Sequence, residues 1–184
     1  MKNSEVRWME ATTSTNTAVA DIAQREKLKN LVLVADHQTD GRGQFGRKWL
    51  SEPGENLLFS IYFEPELKPA DAPQITQIAA QAVVKVLTHY GIPCAIKLPN
   101  DVLVNGKKIC GILTESSSQG EKLLYVVVGI GLNVNSPAEH LLPEALSMAV
   151  VTGRKHDRRE ILEKILTEFQ PWLTPGVEIQ NTRS

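Results

Sequence analysis

Cationic side chains cluster in two short segments of the chain. The first segment is Gly41-Arg-Gly-Gln-Phe-Gly-Arg-Lys48, and the second is Lys97-Leu-Pro-Asn-Asp101, which is followed by Lys107 and Lys108. Guanidinium forks, ammonium groups and the backbone N–H groups of a glycine-rich loop are donors that bind phosphate. A solvated loop and lysines that extend into solvent would show the same residue types. Because the two basic segments occur together, the sequence favours a phosphate site.

Three glycines of the first segment, Gly41, Gly43 and Gly46, have the GxGxxG spacing of dinucleotide-binding loops. In such loops the third glycine opens a helix whose N-terminus faces a pyrophosphate. Residues 47–54 contain a proline and a glycine and have no helical hydrophobic pattern, so the match does not predict a Rossmann fold. It predicts a mobile loop that is able to close over a phosphate.

Two other strings have residue types suited to ligand binding. Within 128–135, Gly129 and Gly131 remove side chains from one face of a predicted strand, and Asn133 lies at the end of the cleared strip. A glycine in a strand marks either the close approach of a ligand or an ordinary bulge or bend. Ser14-Thr-Asn16 offers hydroxyl and amide groups, but it is equally suited to capping the N-terminus of a helix.

The sequence contains no cluster that predicts a metal centre or a nucleophilic triad. Its four histidines are scattered along the chain, and the motifs GxSxG, HExxH and GxxxxGK[ST] do not occur. Chemistry based on a resident metal or an activated serine is therefore not expected.

Hydrophobic spacing predicts the helices and strands that would hold these segments. Apolar residues three or four positions apart predict helices at about 15–27, 73–90 and 157–172. Runs of β-prone residues predict strands at 6–10, 31–35, 57–63, 94–97, 101–104, 107–115 and 122–135. Asn105-Gly106 predicts a type I′ hairpin, because both central residues of that turn need a positive φ. Antiparallel hairpins with helices apart from them predict an α+β fold, not a doubly wound parallel sheet.

Composition limits the classes of protein to which the chain can belong. Its 184 residues, 42% of them hydrophobic, suffice for one domain with a core, and we expect 1–184 to be that domain. The 20 Lys and Arg and 21 Asp and Glu residues give a net charge of −1, which argues against a general nucleic-acid-binding surface. Two cysteines make no disulfide framework, and neither a signal peptide nor a membrane span is visible. We expect a cytoplasmic protein.

Taken in order, the polar strings resemble the catalytic domain of biotin protein ligases. The resemblance covers roughly residues 10–170 and is carried by Ser14-Thr-Asn16, Gln38, Gly41-Arg-Gly-Gln-Phe-Gly-Arg-Lys-Trp49, Lys97-Leu-Pro-Asn-Asp101, Asn105-Gly-Lys-Lys-Ile-Cys-Gly-Ile-Leu113 and Gly129-Ile-Gly-Leu-Asn133. It implies an enzyme that makes biotinyl-5′-AMP from biotin and Mg-ATP and transfers biotin to one lysine of a carboxylase's biotin carboxyl carrier domain. It also implies a mixed, largely antiparallel sheet backed by helices, related to class II aminoacyl-tRNA synthetases.

The resemblance assigns roles to individual residues. Biotin would be bound by Ser14, Thr15, Asn16, Gln38, Gly41, Arg42, Gly43, Gln44, Lys108 and Gly111, and ATP and the adenylate by Arg42, Arg47, Trp49, Lys97 and Asn133. The catalytic residues would be Lys108, near the biotin carboxylate and the α-phosphate, Arg42 on the ordering loop, and Asp101. Asp101 would either orient the carrier lysine or bind Mg²⁺. We expect no protein-held metal, since Mg²⁺ arrives with ATP and keeps several waters.

Several features depart from the family pattern. Gln44 stands where many members have an arginine that helps to retain the adenylate, and Leu98 replaces the usual tryptophan of the KWPND string. We expect no N-terminal winged helix of the repressor-type members, and hence no operator binding, and little or no C-terminal SH3-like domain. A lipoate-type ligase on the same fold and a catalytically weak biotin- or adenylate-binding module are the alternatives. The sequence does not predict the oligomeric state.

Overall fold

A mixed β-sheet forms the centre of the protein, and the computed structural model describes residues 4–173 and 179–180. The strands are β1 (Ser4–Thr12), β2 (Asn30–Gln38), β3 (Leu57–Phe63), β4 (Ala95–Lys97), β5 (Asp101–Val104), β6 (Lys107–Gln119), β7 (Lys122–Leu132) and β8 (Ile179–Gln180). The helices are α1 (Thr15–Glu26), α2 (Ala72–His89), α3 (Met148–Thr152) and α4 (Arg158–Leu173), and short 3₁₀ turns lie at Gln44–Gly46, Pro69–Asp71 and Ala138–His140.

The described strands are ordered β4-β5-β6-β7-β3-β2-β1-β8 in the sheet. β1 pairs in parallel with β2 and with β8, and the other neighbours are antiparallel. The parallel pair arises because α1 connects β1 to β2 as a crossover helix, which a tight turn cannot replace. The predicted α+β fold with a mixed, largely antiparallel sheet is confirmed.

Helices cover both faces of the sheet. On one face α2 and α4 pack on alternate residues of the central strands, such as Val32 and Val34 of β2. On the other face α1 packs with Val19 and Ala23 against Leu31 and Leu33. β3 is buried along its whole length because both of its faces are covered. Burial of these apolar faces stabilises the strands and helices that carry the polar strings.

Element boundaries differ from the predicted ones by a few residues. The Asn105-Gly106 turn is confirmed, with φ of 50° and 77°. β6 continues to Gln119, because its polar end still pairs with β7 across the hairpin. β7 ends at Leu132 and not at 135. Beyond it the chain leaves the ladder, and the amide of Asn133 donates to the Ile109 carbonyl at 2.9 Å.

Candidate active site

A cleft between the start of α1, the ends of β2 and β7, and the middle of β6 gathers most of the predicted site residues. Ten of them line it: Ser14, Thr15, Asn16, Gln38, Arg42, Gly43, Gln44, Trp49, Lys108 and Gly111. Asn100, Ile112, Leu113, Gly129, Ile130 and Gly131 complete the lining. Residues from distant parts of the sequence therefore meet in one cleft.

Ser14 occupies the N-cap position of α1, but its side chain makes no capping hydrogen bond. The side-chain carbonyl of Gln38, at the end of β2, accepts instead from the Thr15 amide at 2.7 Å and from the Thr15 hydroxyl at 3.0 Å. The interpretation of this string as a plain helix cap is therefore wrong for the Ser14 side chain. Gln38 satisfies one of the unpaired N–H groups of the helix, and the Ser14 hydroxyl lies at the cleft.

Asn16 is fully engaged by protein groups. Its amide nitrogen donates to the Leu113 carbonyl at 3.2 Å and to Glu115 Oε2 at 2.7 Å. The Ser60 hydroxyl of β3 donates to Asn16 Oδ1 at 2.6 Å and lies 2.7 Å from Thr15 Oγ1. Since both amide protons of Asn16 are used, this residue fixes the position of the first turn of α1.

The glycines on β6 and β7 create room for side chains of the protein itself. A Cβ on Gly129 would overlap Asn16 Oδ1, and one on Gly131 would lie 2.6 Å from the Trp49 ring. A Cβ on Gly111 would lie 2.9 Å from both Trp49 and the Lys108 ammonium. The strip is free of strand side chains, as predicted, but Trp49 and Asn16 of the protein itself fill the space beside it. The buried Trp49 Nε1 has no hydrogen-bond partner among the described residues.

Lys108 and Asp101 form an ion pair on the adjacent strands β5 and β6, with 2.7 Å between Nζ and Oδ1. The backbone of Lys108 is held as well, because its amide donates to the Glu144 carbonyl at 2.7 Å and its carbonyl accepts from Leu146 at 2.8 Å. The Lys108 ammonium also lies 5.4 Å from the centroid of the Trp49 ring. One cation is thus held in a defined position beside the cleared strip.

The glycine loop, residues 41–49, is a narrow hairpin rather than an unpaired segment. The Gly43 amide donates to the Arg47 carbonyl at 2.7 Å, and the Trp49 amide donates to Gly41 at 2.8 Å. Arg42 Nη2 lies 3.1 Å from both Thr17 Oγ1 and Glu115 Oε2, so its side chain crosses to α1 and β6. These bonds order the loop beside the cleft.

Five predicted site residues do not line the cleft. Gly41 packs behind it, where a Cβ would lie 2.7 Å from the Trp49 carbonyl. Arg47 is exposed and lines a second cavity, between the glycine loop and Leu113–Glu115 of β6, and Lys97 is exposed opposite Asp101 in the β4–β5 ladder. Asp101 reaches the cleft through Lys108. The predicted adenylate-binding roles of Arg47 and Lys97 stay predictions.

The fifth of these residues, Asn133, is buried beyond the end of β7. Its side-chain amide donates to the Leu146 carbonyl at 3.1 Å. Because Leu146 pairs with the backbone of Lys108, this bond supports the segment that holds the lysine. The adenosine-binding role of Asn133 likewise stays a prediction.

Sequence reasoning missed Ser60, Asn100 and Glu115. Ser60 is the one polar residue in Leu57–Phe63, and a hydroxyl in a fully buried apolar strand is a signal for a buried hydrogen bond. Asn100 donates to the Ile112 carbonyl at 2.9 Å and fixes the turn before β5. Glu115 gives no comparable signal, because a carboxylate near the end of a long strand usually faces solvent.

The described residues indicate neither a nucleophilic thiol nor a protein-held metal ion. Burial raises the pKa of the Cys110 thiol, which keeps it protonated and non-nucleophilic at neutral pH. Over the described ranges, no three His, Cys, Asp or Glu side chains come close enough to hold a metal ion. Nor does that part of the chain include a helix long and apolar enough to span a membrane. The cleft lining therefore offers two cations, Arg42 and Lys108, and several neutral hydrogen-bonding groups. The carboxylates of Asp101 and Glu115 pair with these cations from outside the lining. This set suits an anionic ligand with a polar, uncharged end.

Comparison with known proteins identifies relatives over most of the chain. The sequence profile of the Biotin/lipoate A/B protein ligase family matches residues 8–133. The bifunctional ligase/repressor BirA of Bacillus spizizenii is 35% identical over 168 residues, which are 89% of this chain and 52% of that protein. The biotin--[acetyl-CoA-carboxylase] ligase of Mycobacterium tuberculosis is 31% identical over 89% of this chain and 63% of its own length. The chain thus spans between half and two thirds of these relatives.

A solved structure agrees with the sequence comparison. The biotin protein ligase from Aquifex aeolicus, in complex with biotin and ATP, superposes with a TM-score of 0.70 at 33% identity. The match covers 92% of this chain and 70% of that one. With a family profile that spans more than half of the chain and a relative covered over more than two thirds, the chain belongs to the biotin/lipoate A/B protein ligase family.

Proposed function

We propose that this protein activates biotin with ATP to biotinyl-5′-AMP and transfers the biotin to a specific lysine of a biotin carboxyl carrier domain. The observation that carries the proposal is the Lys108–Asp101 ion pair, with Nζ and Oδ1 2.7 Å apart beside the glycine strip of the cleft. The names of the relatives support it, since a similar solved structure is described in complex with biotin and ATP. We also propose a cytoplasmic location, which suits two free thiols, Cys94 and Cys110.

The neutral polar end of the cleft would take the ureido ring of biotin. Ser14 offers a hydroxyl that is not used as a cap, and Gln38 keeps its amide N–H groups because Thr15 occupies its carbonyl. Thr15 and Asn16 would act by holding these groups in place, since their own polar atoms are bonded within the protein. Neutral donors and acceptors suit an uncharged ring better than ionised groups do.

Lys108 would stabilise charge in the first half-reaction. A carboxylate oxygen of biotin attacks the α-phosphorus of ATP, the new P–O bond forms, and pyrophosphate leaves with the electrons of the bond that breaks. Two anions approach in this step, so a preorganised cation lowers its barrier. Gly111 leaves the space that the Lys108 ammonium occupies. Mg²⁺ would arrive with ATP and supply further charge neutralisation.

Asp101 would orient the acceptor lysine in the second half-reaction. There the neutral amine attacks the carbonyl carbon of biotinyl-5′-AMP, the C–N bond of the amide forms, and the C–O bond of the anhydride breaks. AMP leaves with the electrons of that bond, and the nitrogen releases one proton to solvent. Asp101 already pairs with an ammonium group, that of Lys108. We therefore favour the orienting role over Mg²⁺ binding for this carboxylate.

The glycine loop would cover the adenylate. Arg42, Gly43 and Gln44 line the cleft from this side, and Trp49 at the end of the loop lies on the glycine strip. An ordered cover excludes water, which would otherwise hydrolyse the mixed anhydride. We propose that Arg47, Lys97 and Asn133 act at the phosphate and adenosine end.

A transfer assay tests the proposal. The purified chain is incubated with ATP, biotin and a biotin carboxyl carrier domain, and the acceptor is analysed by mass. We expect one biotin on one lysine, dependent on ATP. Parallel reactions with lipoate separate the biotin ligase from a lipoate ligase, and binding of biotin without any transfer would favour a binding module.

A further inference from the structure

Glu115 connects two parts of the cleft through a single carboxylate oxygen. Asn16 Nδ2, in the first turn of α1, donates to Glu115 Oε2 at 2.7 Å. Arg42 Nη2, on the glycine loop, donates to the same oxygen at 3.1 Å. We infer that Glu115 is a positioning residue that holds Arg42, and with it the glycine loop, against the cleft. The catalytic consequence of this inference rests on the proposed function, whereas the structural consequence does not.

The contacts of Arg42 hold its side chain in one position beside the cleft. Its guanidinium also donates to Thr17 Oγ1 at 3.1 Å, so it contacts both β6 and α1. Each partner of the ion pair is partly exposed, at 46% for the Arg42 side chain and 40% for that of Glu115. A pair of this kind is weak when both side chains are free to move. Here Asn16 already orients the carboxylate, so less side-chain entropy is lost when Arg42 binds.

Order in the glycine loop can be measured without any ligand. The amides of Gly43 and Trp49 are hydrogen-bonded within the loop, to Arg47 and Gly41. The rates at which these two amides exchange hydrogen therefore report opening of the loop. The exchange rate of the Lys108 amide, which is bonded to Glu144, reports opening of β6. Residue-specific hydrogen exchange, measured by NMR, distinguishes opening of the glycine loop from opening of the strand.

Glu115→Gln removes the charge but keeps an oxygen that can accept from Asn16. We expect exchange of the Gly43 and Trp49 amides to become about threefold faster, as loss of a partly exposed ion pair predicts, while the Lys108 amide keeps its rate. Glu121→Gln is the matched control, because it makes the same charge change at the turn of the same hairpin. Unchanged loop exchange in Glu115→Gln would overturn the inference.

A double-mutant cycle with Arg42→Ala tests whether Glu115 acts through Arg42. If it does, Glu115→Gln causes no further acceleration of loop exchange when Arg42 is absent, because the two effects are not additive. A general structural role for Glu115 predicts the same acceleration in both backgrounds, and that result would contradict the inference.

If Glu115 positions the glycine loop, its substitution should increase the rate at which the adenylate dissociates. In a chain that ligates biotin, Glu115→Gln should release biotinyl-5′-AMP about threefold faster, in step with loop opening. If the wild type ligates no biotin, the proposed function fails while loop exchange still decides the inference. If it ligates biotin and neither loop exchange nor adenylate release changes in Glu115→Gln, the inference fails and the function stands.

Discussion

The Lys108 ammonium lies 2.7 Å from the Asp101 carboxylate, and the two residues are held on adjacent antiparallel strands. The backbone on the far side of Lys108 pairs with Glu144 and Leu146, so the lysine is fixed from both sides. Pairing through the backbone leaves the side chains free to exchange partners when an anion or a second amine enters. This arrangement would suit the two successive steps of the proposed reaction, the first at a phosphate and the second at a lysine.

Asp101→Asn should separate the two half-reactions. We expect transfer to the carrier lysine to fall by on the order of 100-fold, because the amine is no longer held in line with the carbonyl. Adenylate formation should fall much less, since Lys108 keeps its charge. Pyrophosphate–ATP exchange measures the first step, and single-turnover transfer of preformed adenylate measures the second. Equal losses in both steps would show that Asp101 does not act on the acceptor.

Ser60→Ala should weaken biotin binding through Asn16 and Thr15. The substitution leaves the buried Asn16 Oδ1 without the donor that Ser60 supplies, which costs about 1–3 kcal/mol. We expect the free energy of unfolding to fall by this amount and the KM for biotin to rise more than kcat falls. Urea unfolding and steady-state kinetics check the two effects. Ser118→Ala, at an exposed position of β6, is the matched control and should change neither.

Two glycines on one strand should differ in their tolerance of a methyl group. Gly129→Ala places Cβ on Oδ1 of Asn16, whose side-chain amide is held by three hydrogen bonds, whereas Gly131→Ala meets the Trp49 ring on the glycine loop. Overpacking typically costs about 1–3 kcal/mol, and we expect Gly129→Ala to lie at the upper end and Gly131→Ala below it. Thermal unfolding compares them. A larger loss in Gly131→Ala would mean that Trp49 is held more rigidly than Asn16.

His156 should make the protein less stable in mild acid. Burial lowers the pKa of its imidazole, with Arg154 nearby acting in the same direction and Glu160 opposing. Nε2 lies 2.7 Å from Thr152 Oγ1, and the ring packs edge-on against Tyr90 at 5.3 Å. Because the unfolded state binds the proton more readily, the free energy of unfolding falls as pH drops below the ordinary histidine value of about 6.5. The fall ends below the lowered pKa.

Urea unfolding across this pH range checks the prediction. His156→Gln should show a smaller loss of stability than the wild type as the pH falls. His89→Gln, at an exposed position, should keep the wild-type dependence. An identical slope in His156→Gln and the wild type would exclude a contribution from His156.

Local patterns predicted most of the fold. The Asn105-Gly106 dipeptide fixed a hairpin because few residues adopt its backbone angles, and the apolar run of β3 required burial on both faces. The parallel pairing of β1 with β2 was harder to predict from the sequence, since it depends on where α1 packs. That packing is a tertiary choice, which hydrophobic spacing alone does not reveal.

The candidate site was predictable in its residue types more than in its contacts. The polar strings correctly indicated which segments meet, but they did not show that Asn16 is bonded wholly within the protein or that Trp49 lies on the glycine strip. Glu115 was missed because its two partners, Asn16 and Arg42, lie about 100 and 70 positions away in the sequence. Such contacts have no local signature.

Pyrophosphate–ATP exchange with biotin, in the wild type and in Lys108→Ala, tests the central claim most directly. The wild type should exchange only when biotin is present, and Lys108→Ala should lose on the order of 100-fold or more, as removal of a preorganised charge-stabilising group predicts. Lys107→Ala, one residue away and exposed, should remain within a few-fold of the wild type. Exchange that needs lipoate instead of biotin, or that survives in Lys108→Ala, would contradict the account.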